Sequence, residues 1–134
     1  MLYILSILII FCMLMSLRAL FYPSKWKERL VSFQNFLFLG MCFATITLGF
    51  GLLYTLFELE GIPILMENGK HVSGDFFDYI FTTMYFSGIT LFSVGYGDVT
   101  PVGVGRGVAL IESWLGFTIP AAFVVKSVLT YEKK

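Results

Sequence analysis

The chain has 134 residues, of which 57% are hydrophobic, 18% aromatic and only 13% charged, and its formal net charge is zero. Soluble domains usually carry about 25% charged residues, and a domain this small leaves much of its surface in water. The composition therefore argues against a soluble globular domain and against a disordered chain. The zero net charge provides no basic field for nucleic acid.

Long stretches without charge predict the membrane elements. These stretches are residues 1–17, 30–57, 79–97 and 107–125, the last interrupted only by Glu112. A helix needs about 20 apolar residues to cross the hydrocarbon core. Hydropathy alone would therefore allow four crossings, and the distribution of charge decides how many are made.

The first stretch predicts an N-terminal hydrophobic helix over 1–22. No Lys or Arg precedes it and no small-residue cleavage site follows it, so a retained membrane helix fits better than a cleaved signal. Phe21, Tyr22 and Trp26 have the composition of an interfacial belt. A cleaved signal or a helix lying on the membrane surface stays open as the alternative.

The next segments follow from the positions of basic residues. The connector 23–31 contains Lys25, Lys27 and Arg29, and short loops rich in Lys and Arg stay in the cytoplasm. An outer transmembrane helix over 32–57 then leads out of the cell. The following loop, 58–75, is mainly acidic and is expected outside.

The C-terminal charges predict how the chain returns. Lys126, Lys133 and Lys134 belong in the cytoplasm by the same rule, and they reach it only if 79–97 enters the membrane and turns back. This arrangement puts seven basic residues inside and two outside. The predicted elements are a short re-entrant helix at 76–92, an extended return at 93–98 and an inner transmembrane helix at 106–131.

The return segment 93–98 reads Ser-Val-Gly-Tyr-Gly-Asp. Glycine is a poor helix residue, and non-helical backbone at membrane depth occurs only where protein buries it or it lines a water-filled path. Gly95 and Gly97, alternating with larger residues, can turn successive carbonyls to one side of the strand, where they replace the water around a cation. One strand cannot surround an ion, so several copies must meet on a symmetry axis. Asp75 is the predicted N-cap of the preceding helix.

Residues 90–98, Thr-Leu-Phe-Ser-Val-Gly-Tyr-Gly-Asp, closely resemble the potassium-channel signature. Over roughly 30–131 the chain resembles the prokaryotic two-transmembrane-type potassium channels of the pore-loop family, with an extra hydrophobic segment at its N-terminus. The resemblance implies an all-α membrane protein in which an outer helix, a re-entrant pore helix (76–92), an extended filter (93–98) and an inner helix assemble as a homotetramer around a central pore.

The same resemblance implies roles for individual residues. Potassium would be coordinated by backbone carbonyls and one hydroxyl, from Ser93, Val94, Gly95 and Tyr96. The filter would be supported by Thr90, Gly97 and Asp98. No cofactor is implied beyond potassium as the permeant ion. The chain departs from the family pattern at Ser93, where Thr is usual, and at Ile89, where some members have a Glu behind the filter.

The inner helix contains a predicted gating hinge. Gly116 follows Gly105 by eleven residues, a spacing that resembles the family's inner-helix hinge, and Pro120 comes four residues later. Proline removes a backbone donor and kinks a helix. Ordinary packing of small residues is the alternative, and the glycines of the outer helix, Gly40, Gly49 and Gly51, are interpreted as packing positions.

Glu112 is the ionisable residue inside a predicted membrane helix, and such residues usually face protein or water. Three placements are open. It can lie behind the filter and bond a hydroxyl of Ser87, Thr90 or Ser93, face the cavity as part of a charged ring, or reach water at the outer interface.

The predicted function is passive potassium conduction across the plasma membrane by a multi-pass protein with a cytoplasmic C-terminus. The chain shows no voltage-sensor helix or ligand-binding domain, and with His71 as its single histidine it lacks a catalytic constellation, so we do not expect an enzyme. Its partners would be copies of itself, the lipid bilayer and potassium ions. A less selective monovalent cation channel and a non-conducting membrane subunit are the alternatives.

Overall fold

Four helices make up most of residues 2–21 and 33–132, the part of the chain that the computed structural model describes. The predicted connector 23–31 and the last two lysines lie outside that part. The helices are α1 (Leu2–Phe21), α2 (Phe33–Leu59), α3 (Phe76–Leu91) and α4 (Gly105–Glu132). They follow the charge-free stretches, and the fold is mainly helical, as predicted.

The helices differ in how far they can reach across a bilayer. The span-length segments are Phe36–Leu59 with 24 residues in α2 and Gly105–Val125 with 21 residues in α4. Helix α3, which the sequence predicts to be re-entrant, has 16 residues, so it is about 24 Å long and shorter than the hydrocarbon core of about 30 Å. The apolar part of α1, Ile4–Met15, is also shorter than a span, and its crossing stays a prediction.

Helix α3 begins where the sequence predicts. Asp75 is its N-cap, and the Asp78 carboxylate accepts a hydrogen bond of 2.9 Å from the Asp75 N–H. This bond satisfies one of the backbone donors that a helix start leaves free. The last helical residue is Leu91, one residue before the predicted end, and the Phe92 N–H donates to the Gly88 carbonyl at 3.0 Å.

Two of the three glycines interpreted as packing positions in α2 are close to a neighbouring helix. A Cβ added to Gly49 would lie 2.6 Å from the Met13 sulfur of α1, and one added to Gly51 would overlap Met84 of α3. Gly40 has no atom within 4 Å of such a Cβ, so the packing interpretation is wrong for it in the single chain.

The predicted acidic loop contains a β-hairpin that the sequence analysis did not anticipate. Strands β1 (Leu65–Glu67) and β2 (Lys70–His71) are antiparallel and are joined by Asn68 and Gly69, whose φ angles are 50° and 79°. Positive φ at both positions is the signature of a type I′ turn, which Asn-Gly favours. On its other edge β1 pairs with β3 (Val99–Pro101), the strand directly after 93–98.

The core lies between α2 and α3 and beneath the hairpin. Ile46 and Tyr54 of α2, Leu91 of α3 and Leu65 of β1 are all at most 1% exposed. The end of α3 and the start of the return segment therefore rest on a packed scaffold made by the same chain.

Candidate functional site

In the segment 93–98, which we call the filter segment, residues with positive φ alternate with residues without it. Ser93, Gly95 and Gly97 have φ angles of 55°, 57° and 82°, whereas Val94 and Tyr96 between them do not have positive φ. Glycine adopts positive φ at little cost, and serine does so less readily. The sequence predicted this freedom at the two glycines and missed it at Ser93.

Backbone donors at the start of the filter segment are bonded to the end of α3. The N–H groups of Val94 and Gly95 both donate to the Ile89 carbonyl, at 2.8 and 3.2 Å, and that of Ser93 donates to the Thr90 carbonyl at 3.0 Å. These bonds satisfy the N–H groups of the first three residues of the segment. They also fix the direction in which the segment leaves the helix.

The filter segment is exposed in the single chain. Val94 is 49% and Tyr96 is 73% exposed, and Ser93, Gly95 and Gly97 are exposed as well. Thr90 is half-buried at the base of the segment. Carbonyls from one side of one strand cannot enclose an ion, so a single filter segment does not form a closed ion site.

The outer end of the filter segment is held by a side-chain bond and by backbone bonds. The Tyr85 hydroxyl donates to the Asp98 carboxylate at 2.7 Å, and the Asn68 N–H donates to the Asp98 carbonyl at 2.9 Å. The hydrogen bond from Tyr85 lowers the pKa of Asp98. Ile89 stands where some members of the resembled family have a Glu, and in this structure the side chain that bonds the Asp98 carboxylate is Tyr85.

Glu112 lies behind α3, the first of the three placements considered. Its side chain is 0% exposed, which excludes the cavity and the outer interface within this chain. The Tyr54 hydroxyl of α2 donates to Glu112 Oε2 at 2.7 Å, and Ser87 Oγ of α3 is bonded to Oε1. Thr90 and Ser93, the other hydroxyls considered, are not among its partners.

Tyr54 is a residue that the sequence analysis missed. It sits in the charge-free run of α2, where a tyrosine reads as one more apolar ring. It is 0% exposed and also packs edge-to-face on Phe86, with ring centroids 5.1 Å apart. A buried tyrosine usually needs a partner for its hydroxyl, and that requirement was the available signal.

Gly116 contacts α3 directly. A Cβ added there would overlap the Leu91 carbonyl oxygen, so α4 approaches the end of α3 backbone to backbone. Helix α4 continues through Pro120, which has no N–H for the carbonyl four residues earlier, that of Gly116. This contact with the Leu91 carbonyl therefore supports the packing interpretation of Gly116. The hinge stays a prediction.

Two open cavities flank the filter segment, each of about 460 Å³. One lies between the segment and the N-terminal half of α4, against Ala109, Leu110 and Ser113. The other lies between Phe92 and the Gly116–Pro120 turn of α4. Leu110, Trp114 and Phe117 of α4 are also exposed, at 72%, 65% and 75%. The side of the chain that carries the filter segment is therefore apolar and uncovered.

Comparison with known proteins points to ion conduction. A family model described as "Ion channel" matches residues 50–132, which include α3, the filter segment and α4. The protein named LctB of Geobacillus stearothermophilus is 32% identical over 119 residues, or 89% of each chain. The LctB protein of Bacillus caldotenax is 33% identical over 116 residues, or 83% of this chain and 87% of the relative. No solved structure matches the chain significantly.

Proposed function

This chain belongs to the ion-channel family whose model spans residues 50–132, and we propose that it conducts potassium ions passively and selectively through a homotetrameric pore. It is a membrane protein of the prokaryotic two-transmembrane type. The names of its relatives do not specify an ion, so the argument for potassium depends on the filter segment.

The observation that supports potassium conduction most directly is the alternation of positive φ along residues 93–97, together with their Ser-Val-Gly-Tyr-Gly sequence. In this proposal the carbonyls of Ser93, Val94, Gly95 and Tyr96, with the Ser93 hydroxyl, replace the water around a dehydrating potassium ion. Thr90, Gly97 and Asp98 hold the segment in place.

An assembly of several copies is supported by what one chain lacks, and the resemblance to potassium channels implies that the copies are four. The filter segment supplies ligands from one side only, and closed cyclic symmetry is the ordinary way to supply the rest. The exposed ring of Tyr96 and the exposed face of α4 support an assembly in which a neighbouring copy packs beside the filter segment. Lipid would cover the outward surfaces of α1 and α2.

The gate bend in this proposal is formed by Gly116 and Pro120. Proline leaves the Gly116 carbonyl without its helical partner, which weakens α4 at that turn. Gly116 is also where the backbone of α4 contacts the end of α3. Movement of the inner half of α4 would therefore pivot there.

Reconstituted flux tests the function. Purified wild-type chain in liposomes or planar bilayers should give currents whose reversal potential follows the potassium gradient in mixed potassium and sodium. A reversal potential that follows both ions equally would favour the less selective cation channel. Absence of any flux would favour the non-conducting subunit.

Cysteine labelling tests the orientation in the plasma membrane. In a Cys12→Ala and Cys42→Ala background, a cysteine at Ser73 should react with an impermeant reagent from outside. Cysteines at Ser24 and Lys133, both outside the described residues, should react only from the cytoplasm. Labelling of position 133 from outside would contradict the re-entrant topology and the cytoplasmic C-terminus.

A further inference from the structure

The hydrogen bonds around Glu112 constrain where hydrogens can be. Three contacts form an unbroken chain: the Tyr54 hydroxyl to Glu112 Oε2 at 2.7 Å, Glu112 Oε1 to Ser87 Oγ, and Ser87 Oγ to the Thr47 carbonyl oxygen at 2.9 Å. We call Glu112, Tyr54, Ser87 and the Thr47 carbonyl the Glu112 cluster. It joins α2, α3 and α4 at one depth.

Each of these contacts needs one hydrogen, and the donors can be counted. Tyrosine and serine hydroxyls have one hydrogen each, a carbonyl has none, and a carboxylate accepts only. With Glu112 ionised, two hydrogens would have to serve three contacts. Ser87 would then have to choose between two acceptors and leave one oxygen pair facing each other without a hydrogen.

We propose that Glu112 is a protonated, neutral acid that donates from Oε1 to Ser87 and thereby positions the pore helix α3 on α4 and α2. In that state the directions are consistent: Tyr54 donates to Oε2, Oε1 donates to Ser87, and Ser87 donates to the Thr47 carbonyl. All three contacts are satisfied.

The surroundings agree with a neutral group. Tyr54, Ser87 and Glu112 are all 0% exposed. Among the described residues, the titratable group in hydrogen-bond contact with Glu112 is Tyr54, and no Lys, Arg or His forms an ion pair with it. An isolated charge buried in this way is strongly disfavoured, whereas a hydrogen-bonded neutral acid is not.

The cluster places a second attachment beside an existing one. Glu112, which is hydrogen-bonded to Ser87, lies four residues before Gly116, where α4 meets the Leu91 carbonyl. The N-terminal half of α4 is thus fastened to α3 at two successive turns, where the α3 residues Ser87 and Leu91 are buried. Glu112 is a positioning residue: it acts on the filter segment through α3, and this consequence rests on the proposed function.

Infrared difference spectroscopy tests the protonation state without any reference to conduction. The spectrum of wild type minus Glu112→Gln at neutral pH should contain the C=O band of a carboxylic acid, shifted in D₂O, and lack carboxylate bands. Glu60→Gln, which alters an exposed glutamate, is the matched control and should remove carboxylate bands only. Carboxylate bands in the Glu112 difference spectrum would overturn the proposal.

A labelled wild-type sample covers the case in which the Glu112→Gln variant does not assemble. If the acid band belongs to a glutamate, incorporation of carboxyl-labelled ¹³C-glutamate should shift it to lower frequency. If no acid band moves on labelling, the proposal is wrong.

Flux tests the positioning role by rescue. A glutamine amide can donate to Ser87 and its carbonyl can accept from Tyr54, so Glu112→Gln should keep wild-type flux and selectivity. Glu112→Leu removes both bonds and should lose most of the selective flux. Equal loss in both variants would contradict the positioning role. If wild type itself shows no selective potassium flux, the proposed function fails while the spectroscopic result stands.

Discussion

The two regions that bear on conduction are built in opposite ways. In the filter segment the backbone is the part proposed to bind ions, and the residues of the segment are exposed, with Tyr96 at 73%. In the Glu112 cluster side chains make the contacts, and Tyr54, Ser87 and Glu112 are at 0%. One chain completes the cluster by itself and leaves the filter segment unfinished.

This difference indicates a division of labour between folding and assembly. The scaffold behind the pore helix can form within each subunit, because all its bonding partners lie in the same chain. In the proposed homotetramer, the filter segment would be completed only where copies meet. Substitutions in the filter segment should therefore abolish conduction with little effect on the fold, and substitutions in the scaffold should act first on stability.

The largest expected effect on flux is that of Gly97→Ala. Gly97 has φ of 82° and no atom within 4 Å of an added Cβ, so the change acts through backbone strain. The strain is about 1 kcal/mol or more in each chain, repeated in every subunit. Selective potassium flux in liposomes should be lost, while thermal unfolding of the detergent-purified protein changes little.

Gly40→Ala is the matched control for that experiment. Gly40 lies in α2, also has no atom within 4 Å of an added Cβ, and its φ is not positive. Its flux should equal that of wild type. Normal selective flux in Gly97→Ala would show that 93–98 is not the filter and would remove the contrast between the two regions.

Gly116→Ala should produce the next largest effect, and mainly on stability. Its Cβ would overlap the Leu91 carbonyl oxygen, so either α4 or the end of α3 must move. Overpacking of this kind costs about 1–3 kcal/mol. Unfolding should occur at lower temperature than in wild type, whereas Gly107→Ala, on the same helix with open space, should leave it unchanged. Equal stability of the two variants would contradict the backbone contact.

Glu58→Ala tests the contact between the C-terminal end of α2 and the hairpin. Glu58 Oε1 accepts hydrogen bonds of 2.8 Å from the N–H groups of both Ile64 and Leu65, which are buried. Removing the acceptor leaves two donors unsatisfied and should lower the free energy of unfolding by about 1–3 kcal/mol. Glu60→Ala, which alters an exposed residue, is the control. A Glu58→Ala protein as stable as that control would show that the two hydrogen bonds to Glu58 do not stabilise the hairpin.

The sequence predicted the helices and the filter segment because local signals carry them. Charge-free runs, the Asp75 cap and the glycine alternation are all readable along the chain. The hairpin also had a local signal, Asn68-Gly69, which an acidic and turn-rich stretch obscured. The need of Tyr54 for a hydrogen-bond partner was readable, but no local signal pointed to Glu112, because the two residues are 58 positions apart and meet only through the packing of three helices.

Tyr85→Phe should have the smallest effect. It tests whether a side-chain bond from α3 is needed to hold the end of the filter segment at Asp98. The Tyr85 hydroxyl of α3 holds the Asp98 carboxylate at 2.7 Å, at an exposed position where water can replace the donor. The hairpin still holds the Asp98 carbonyl through the Asn68 N–H at 2.9 Å. We expect unchanged thermal stability and a partial loss of sustained potassium flux, measured as faster decline of current during long recordings. Tyr79→Phe on the same helix removes a hydroxyl that bonds no carboxylate among the described residues, and its current should decline at the wild-type rate. If Tyr85→Phe matches it, the backbone bonds of the hairpin alone are sufficient to hold the outer end of the filter segment.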